Sequence, residues 1–181
     1  MEILNNVDVN IRAYRVVDYN PSYLDNLVYG IRNEKPENFK YSIFLSHSHH
    51  DAYLVKKVVV LLKTMGVEVY VDWLDDTMPS STCGITASKI KQKIKQNHKF
   101  IFLATNKSIE SRWCNWEIGF GDANKFDDDN IAVFPVKDNN EWKGNEYLQL
   151  YPSIKKKDFS NELYIEYPDG KIILLTDWMR K

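Results

Sequence analysis

Two cysteines in 181 residues, Cys83 and Cys114, are too few for a disulfide framework, and neither has a partner at metal-ligand spacing, so both are expected as reduced thiols. Glycine is scarce as well. The seven present form no Gly-x-Gly-x-x-Gly and no Gly-rich loop ending in Lys-Ser/Thr, which removes the dinucleotide fingerprint and P-loop nucleotide hydrolysis. Long hydrophobic runs are missing: stretches such as Val58 to Leu62 fall far short of the roughly 20 residues a spanning helix needs. Met1 to Asn10 is acidic and polar, unlike a signal peptide, so a cytoplasmic protein without membrane association is expected. No charge of one sign dominates. Lys and Arg total 24 against 25 Asp and Glu, and no field draws the chain to nucleic acid. What is present is core material: 44% hydrophobic content at this length supports one domain with modest additions.

From Tyr41 onward short β-rich runs alternate with helical periodicity, the pattern of βαβ units and a parallel sheet, and five such units can be counted. The first strand, Tyr41 to Leu45, ends in the polar loop Ser46-His47-Ser48-His49-His50-Asp51. Leu54, Val55, Val58, Leu61, Leu62 and Met65 then recur at helical steps, with Gly66 as the stop. A second strand is expected over Val67 to Trp73, a long functional loop over Leu74 to Thr86, and a helix with a solvated basic face over Ala87 to Asn97. Lys99 to Ala104 and Ile131 to Val136 read as strands flanking a helix from Trp113 to about Ala123. Glu146 to Pro152 follows. Leu163 to Tyr167 and Lys171 to Leu175 around Pro168-Asp169-Gly170 read as a hairpin, before a helical tail near Asp177. Residues 1–39 read as an N-terminal extension: a strand at Val9 to Val17, then a Pro21-started helix through Ile31, with the boundary in Asn33 to Lys40.

Two constellations invite chemistry. His47, His49 and Asp51 match the start of a dinuclear zinc motif, but the next position is Ala52 rather than His, and only His98 remains of the four histidines. A set of His47, His49 and His50 would need an unusual loop, because neighbours at a strand end point to alternating sides. No metal is expected. The second constellation is Ser111-Arg112-Trp113-Cys114-Asn115-Trp116-Glu117: the four-residue spacing puts Trp113 and Glu117 on one helical face, where a helix leaves the sheet. α/β proteins bind ligands there.

Four segments occur together in order: Tyr41 to Ser48 with Asp51; Val69-Tyr70-Val71-Asp72 with the long loop to Gly84-Ile85; Phe100 to Asn106; and Ser111 to Glu117. They resemble the Toll/interleukin receptor (TIR) domain family over about Lys40 to Lys137, and Ser-x-Trp-Cys-x-x-Glu is the most specific piece. The chain departs from the family in one place: its usual Pro-Gly is here Pro79 and Gly84, separated by four residues.

The resemblance implies a flavodoxin-like fold, with a mostly parallel five-stranded sheet flanked by helices and a C-terminal hairpin, over residues 40–181. It also implies an NAD+-consuming enzyme with NAD+ as substrate and no cofactor, like stand-alone bacterial members of Thoeris-like antiphage defence. Glu117 is the implied catalytic residue. Phe44, Ser46, His47, Ser48, Asp72, Trp73, Gly84, Ile85, Trp113 and Cys114 are the implied substrate-binding positions. Ser46 and Ser48 are placed to donate to ribose or phosphate, Trp73 to stack on a ring, and Trp113 and Cys114 to form walls. Self-association through Leu74 to Thr86, and an effector that reads a cyclic nucleotide product, are the implied partners. The alternative is a non-enzymatic interaction module.

Overall fold

Side-chain alternation along the central strands sorts the core into two layers, and that sorting decides which helix meets which residue. The structure, a computed structural model, describes residues 2–5, 8–9, 40–79, 83–137, 141–144, 146–157 and 162–181. In chain order the elements are β1 (Leu4–Asn5), β2 (Ser42–Ser46), α1 (Ala52–Lys63), β3 (Glu68–Tyr70), α2 (Gly84–Gln96), β4 (Lys99–Ala104), α3 (Asn106–Glu110), α4 (Arg112–Lys125), β5 (Ile131–Lys137), β6 (Ser153–Lys156), β7 (Leu163–Glu166), β8 (Ile172–Leu174) and α5 (Leu175–Met179). The sheet runs β3-β2-β4-β5-β6-β7-β8, with β1 paired to the end of β5. The five strands from β3 to β6 are parallel, and β7 and β8 add the antiparallel hairpin.

Because side chains alternate across a strand, Ile43 and Leu45 of β2, Ile101 and Leu103 of β4, and Ala132 and Phe134 of β5 join one layer with α1 and Trp178. Phe44, Phe100, Phe102, Ile131 and Val133 join the other, with Ile90 and Ile94 of α2 and Ile118 of α4. Register brings Tyr70, Phe44 and Phe100 side by side on neighbouring strands, so their rings stack at 5.5 and 5.6 Å. Each fully buried ring of this kind contributes about 1.5–3 kcal/mol. Ser46 continues the parity of Phe44, which turns it towards α4.

The flavodoxin-like arrangement expected from the sequence is present. Strand β2 is flanked by β3 on one side and β4 on the other, so successive connections leave it in opposite directions and open a crevice at its carboxyl end. Several boundaries differ from the sequence reading. Strand pairing of 67–73 stops at Tyr70, and Asp72–Leu74 forms a 3-10 turn in which Asp72 Oδ1 accepts the Trp73 backbone N–H at 2.8 Å. The helix expected from Ala87 begins earlier, at Gly84. Glu146–Leu150, left without an element in the sequence reading, is a 3-10 turn, and the fifth parallel strand is Ser153–Lys156. In the N-terminal extension, the expected strand and helix over 9–31 lie outside the described residues except Val9. That residue is helical and, like Leu4, fully buried. Among the described residues no helix is long and apolar enough to cross a membrane.

Candidate functional site

Glu117 lies one turn into α4, whose start is fixed by Ser111: its hydroxyl accepts the Cys114 backbone N–H at 3.3 Å. The side chain is 3% exposed and points at the carboxyl end of β2, where the Ser46 hydroxyl donates to Oε2 at 2.6 Å. Burial pushes the Glu117 carboxyl up to about 8, and the Asp72 carboxylate adds to the rise. Hydrogen bonds from Ser46 and Trp113 pull the other way. A carboxyl group in this setting titrates near neutrality, the range suited to proton transfer.

A second cluster stands at the ends of β2 and β3. The His47 ring is buried; its Nδ1 donates to the Leu45 carbonyl at 2.9 Å and its Nε2 accepts the Trp73 indole N–H at 2.8 Å. The indole nitrogen is a donor only, so Nε2 must carry a lone pair and His47 is the neutral Nδ1–H tautomer. Burial lowers its pKa in the same sense, against the opposing pull of Asp72. Asp72 Oδ1 is 3.6 Å from His47 Nε2, and Oδ2 is 3.8 Å from His49 Nε2. The neutral tautomer makes the His47 contact a dipolar neighbour rather than an ion pair.

Asp51, the third member of the His-x-His-x-Asp pattern, is engaged elsewhere. It accepts the Thr105 hydroxyl at 2.5 Å and pairs with Lys107 at 3.2 Å, tying the loop after β2 to the end of β4. Tyr70 donates to Asp75 at 2.9 Å, and Lys93 lies 3.2 Å from the same oxygen. Together with Thr77, these groups hold the Asp75 carboxyl down at about 2 despite burial. No sequence spacing announced Tyr70, Asp75 or Lys93 as neighbours of the site. They meet because β3 turns directly into the 3-10 segment.

The structure thus brings together Ser46, His47, Asp72, Trp73, Trp113, Cys114 and Glu117. Ser48 and His47 join Trp113 and Cys114 in the wall of a cavity of about 420 Å³ that also includes His49, His50 and Lys107. The Cys114 thiol donates to the His47 carbonyl at 3.2 Å, and burial pushes its pKa up to about 12, so it is a wall group rather than a nucleophile. Phe44 is buried between Tyr70 and Phe100 and forms the floor beneath this cluster. Gly84 and Ile85 form the first turn of α2, where Ile85 is 64% exposed.

Glu117 thus lies on the Ser-x-Trp-Cys-x-x-Glu helix of a flavodoxin-like sheet, and the hydroxyl that meets it, on Ser46, is one the sequence reading turned towards sugar or phosphate. The TIR domain family profile matches residues 43–169. The chain belongs to the TIR domain family. A TIR relative from Bacillus cereus (strain MSX-D12), named "Probable 3' cyclic ADP-D-ribose synthase ThsB'", is 29% identical over 154 residues, covering 80% of this chain and 78% of its own. A second, from Cytobacillus dafuensis and bearing a cyclic ADP-D-ribose synthase name, TIR2, is 27% identical over 99 residues. That match covers 52% of this TIR chain and 26% of the relative.

Proposed function

We propose that this TIR protein is an NAD+-consuming enzyme that cleaves the nicotinamide–ribose bond and releases ADP-ribose or a cyclic ADP-ribose signal in bacterial antiphage defence. The observation that carries the reading is the buried Glu117 held by Ser46 at the carboxyl end of the sheet. The likeness to a relative named as a cyclic ADP-D-ribose synthase along 80% of the chain supports it.

The bond that breaks joins C1′ of the ribose to the pyridinium nitrogen, and its electron pair leaves with nicotinamide. The leaving group departs neutral from a cation, so no general acid is required. Positive charge develops on the ribose ring, and an adjacent carboxylate stabilises it where it appears. A carboxyl that titrates at about 8 in the resting site loses its proton more readily once a cationic ring lies beside it. As a carboxylate, Glu117 then accepts the proton of the oxygen that attacks C1′. Water as attacker gives ADP-ribose, and a hydroxyl of the same molecule gives a cyclic product. At 3% exposure Glu117 lies beneath the site surface, and the Trp113 side chain is hydrogen-bonded to it.

Trp73 is the ring-stacking surface in this reading, Ser48 is the hydroxyl donor to the sugar, and Ser46, whose one proton goes to Glu117, holds the carboxyl in place. Assembly of copies through the loop from Leu74 to Thr86, action in the cytoplasm, and an effector that reads the product complete the proposal. The test is incubation with NAD+ at concentrations that permit assembly, with nicotinamide release and product masses as readouts, repeated with Glu117→Ala. Release by the wild-type protein and none by the variant is expected. Equal release by both would overturn the role of Glu117, and none by either would favour a scaffold.

A further inference from the structure

The histidine-rich loop after β2 has a use that the reaction does not absorb. One ligand atom each from His47, His49 and Asp72 lie within 4.8 Å of one another, and the closest approaches to the carboxylate are 3.6 and 3.8 Å. A zinc ion with bonds near 2.0–2.2 Å holds tetrahedral donors roughly 3.4 Å apart. His47 Nε2 and Asp72 Oδ1 reach that spacing with a movement of a few tenths of an ångström, and His49, which approaches the other carboxylate oxygen and has its side chain 66% exposed, is free to swing in as the third donor. Asp72 comes from the end of the neighbouring strand. Parallel pairing of β2 with β3, rather than any spacing in the sequence, supplies the third donor.

His47 is already in the tautomer of a metal ligand. Metal-bound imidazoles almost always donate their second ring N–H to a carbonyl or carboxylate, which fixes the ring and leaves the other nitrogen bare. His47 makes that contact to Leu45 and turns Nε2 towards Asp72. The present partner of that lone pair is the Trp73 indole N–H at 2.8 Å, a neutral hydrogen bond that is weak beside imidazole and carboxylate bonds to a dication. The donor set of two imidazoles and one carboxylate suits zinc, and it leaves coordination positions for water.

We propose that His47, His49 and Asp72 bind a zinc-class divalent cation in exchange for the Trp73 indole, so that metal binding and the anchored position of Trp73 exclude one another. In the sequence the neighbouring candidates beside His47 and His49 are His50 and Asp51, and with them no metal is expected. The fold presents Asp72 instead.

The experiment titrates metal-stripped protein with zinc chloride by calorimetry, without NAD+, in a Cys83→Ser background that removes the exposed thiol. Cobalt chloride serves as an optical reporter of geometry. Saturable binding of one ion per chain is expected, with a tetrahedral cobalt spectrum free of thiolate bands. His49→Ala and Asp72→Asn are each expected to weaken binding at least tenfold. Trp73→Phe is the discriminating variant. It removes the competitor for Nε2, so it is expected to bind zinc several-fold more tightly, which an adventitious surface histidine would not do. Undiminished binding by His49→Ala, unchanged or weaker binding by Trp73→Phe, or no saturable binding by the parent protein would each overturn the site. His49→Ala alters an exposed side chain, so loss of the fold does not confuse the result. Binding is read without substrate, so the outcome is independent of whether the protein cleaves NAD+.

Discussion

The two ends of the parallel sheet each bury an ionisable side chain, and they do so in opposite ways. At the amino end, Lys99 of β4 is 2% exposed beneath the Trp178 ring of α5, 4.6 Å away. Its ammonium donates to Asn130 Oδ1 at 2.6 Å and to the Asp129 carbonyl at 3.2 Å, in the turn that leads into β5. That turn is pinned in its left-handed conformation, φ 56° at Asp129, partly by the Tyr167 hydroxyl on its carboxylate at 2.8 Å. At the carboxyl end, Glu117 rests on a serine hydroxyl and an indole that form no part of any backbone turn, beside a cavity. Burial pushes Lys99 down to about 8 and Glu117 up to about 8. Burial of an ionisable group therefore has different meaning at the two ends. Where the partners are a main-chain carbonyl and an amide side chain of a pinned turn, the buried charge defines the fold. Where the partners are groups that can re-pair with an incoming ligand, it is poised for chemistry.

The sharpest break of the comparison is a pair of neutral isosteres. Glu117→Gln is expected to lower the rate of nicotinamide release by about 10²–10³ or more, the loss typical of removing one group that stabilises a transition state. Its folding stability at pH 8 should be retained or raised. Lys99→Met should do the reverse. It leaves Asn130 and the Asp129 carbonyl without their donor, costs about 1–3 kcal/mol in urea denaturation, and leaves turnover per folded molecule unchanged. If Lys99→Met lowered turnover more than stability, the division between fold and function at the two ends would fail.

The pH dependence of stability separates the two ends by sign. Glu117 binds its proton more tightly folded, about 8, than at its ordinary value of 4.5, so its contribution to stability is complete below pH 4.5 and is lost as pH rises towards 8. Lys99 is the opposite case, about 8 when folded against 10.5, so stability recovers from it as pH rises from 8 to 10.5. The two together favour a shallow minimum near pH 8. Glu117→Gln should flatten the acid side only, and Lys99→Met the alkaline side only, in denaturation curves measured at intervals from pH 5 to 10.

Much of the amino-to-carboxyl layout was legible in the sequence because periodicity reports burial. Leu54, Val55, Val58, Leu61 and Leu62 recur as a helix because that face packs on the sheet, and Phe100 to Leu103 read as a strand because both faces are covered. Glu117 was legible through its motif. The pairings that give it character were not. Ser46 meets Glu117 through β2 parity and the position of α4, and Trp73 meets His47 through strand pairing, both across long separations that carry no local signal. Short elements were missed for a related reason. Leu4–Asn5 and Asn106–Glu110 have too few residues to show a period, and so does Glu146–Leu150, a 3-10 turn around buried Leu148.

A smaller effect tests the coupling between Ser46 and Glu117. Ser46→Ala removes the strongest hydrogen bond holding the carboxyl pKa down, so the pKa should climb further and a larger fraction of Glu117 stay protonated at neutral pH. Turnover at neutral pH should fall roughly several-fold. The acid limb of the pH–rate profile should shift to higher pH, with the alkaline plateau less affected than the neutral rate. A uniform loss at all pH values would mean that Ser46 acts on substrate rather than through Glu117.

The smallest expected effect distinguishes two glycines of α4 that lie on opposite sides of the boundary between packing and solvent. In a helix interior either should gain up to about 1 kcal/mol on substitution by alanine, because glycine loses more backbone freedom on folding. At Gly119 nothing lies within 4 Å of an added Cβ, and that gain should appear as a raised melting temperature. At Gly121 the added carbon would sit 3.1 Å from the Phe100 ring, which is fully buried and stacked on Phe44 at 5.6 Å. The ring cannot retreat, so overpacking of about 1–3 kcal/mol outweighs the propensity gain and the melting temperature should fall. The helix yields instead, by a few tenths of an ångström, and it carries Glu117 one turn away. Gly121→Ala should therefore also weaken nicotinamide release by a factor below about ten, as expected when a reacting group is displaced slightly from its working position. Gly119→Ala should leave it intact. Opposite thermal shifts from the same substitution two residues apart would show that the floor laid by Phe44 and Phe100 sets the height of the carboxyl group above the sheet.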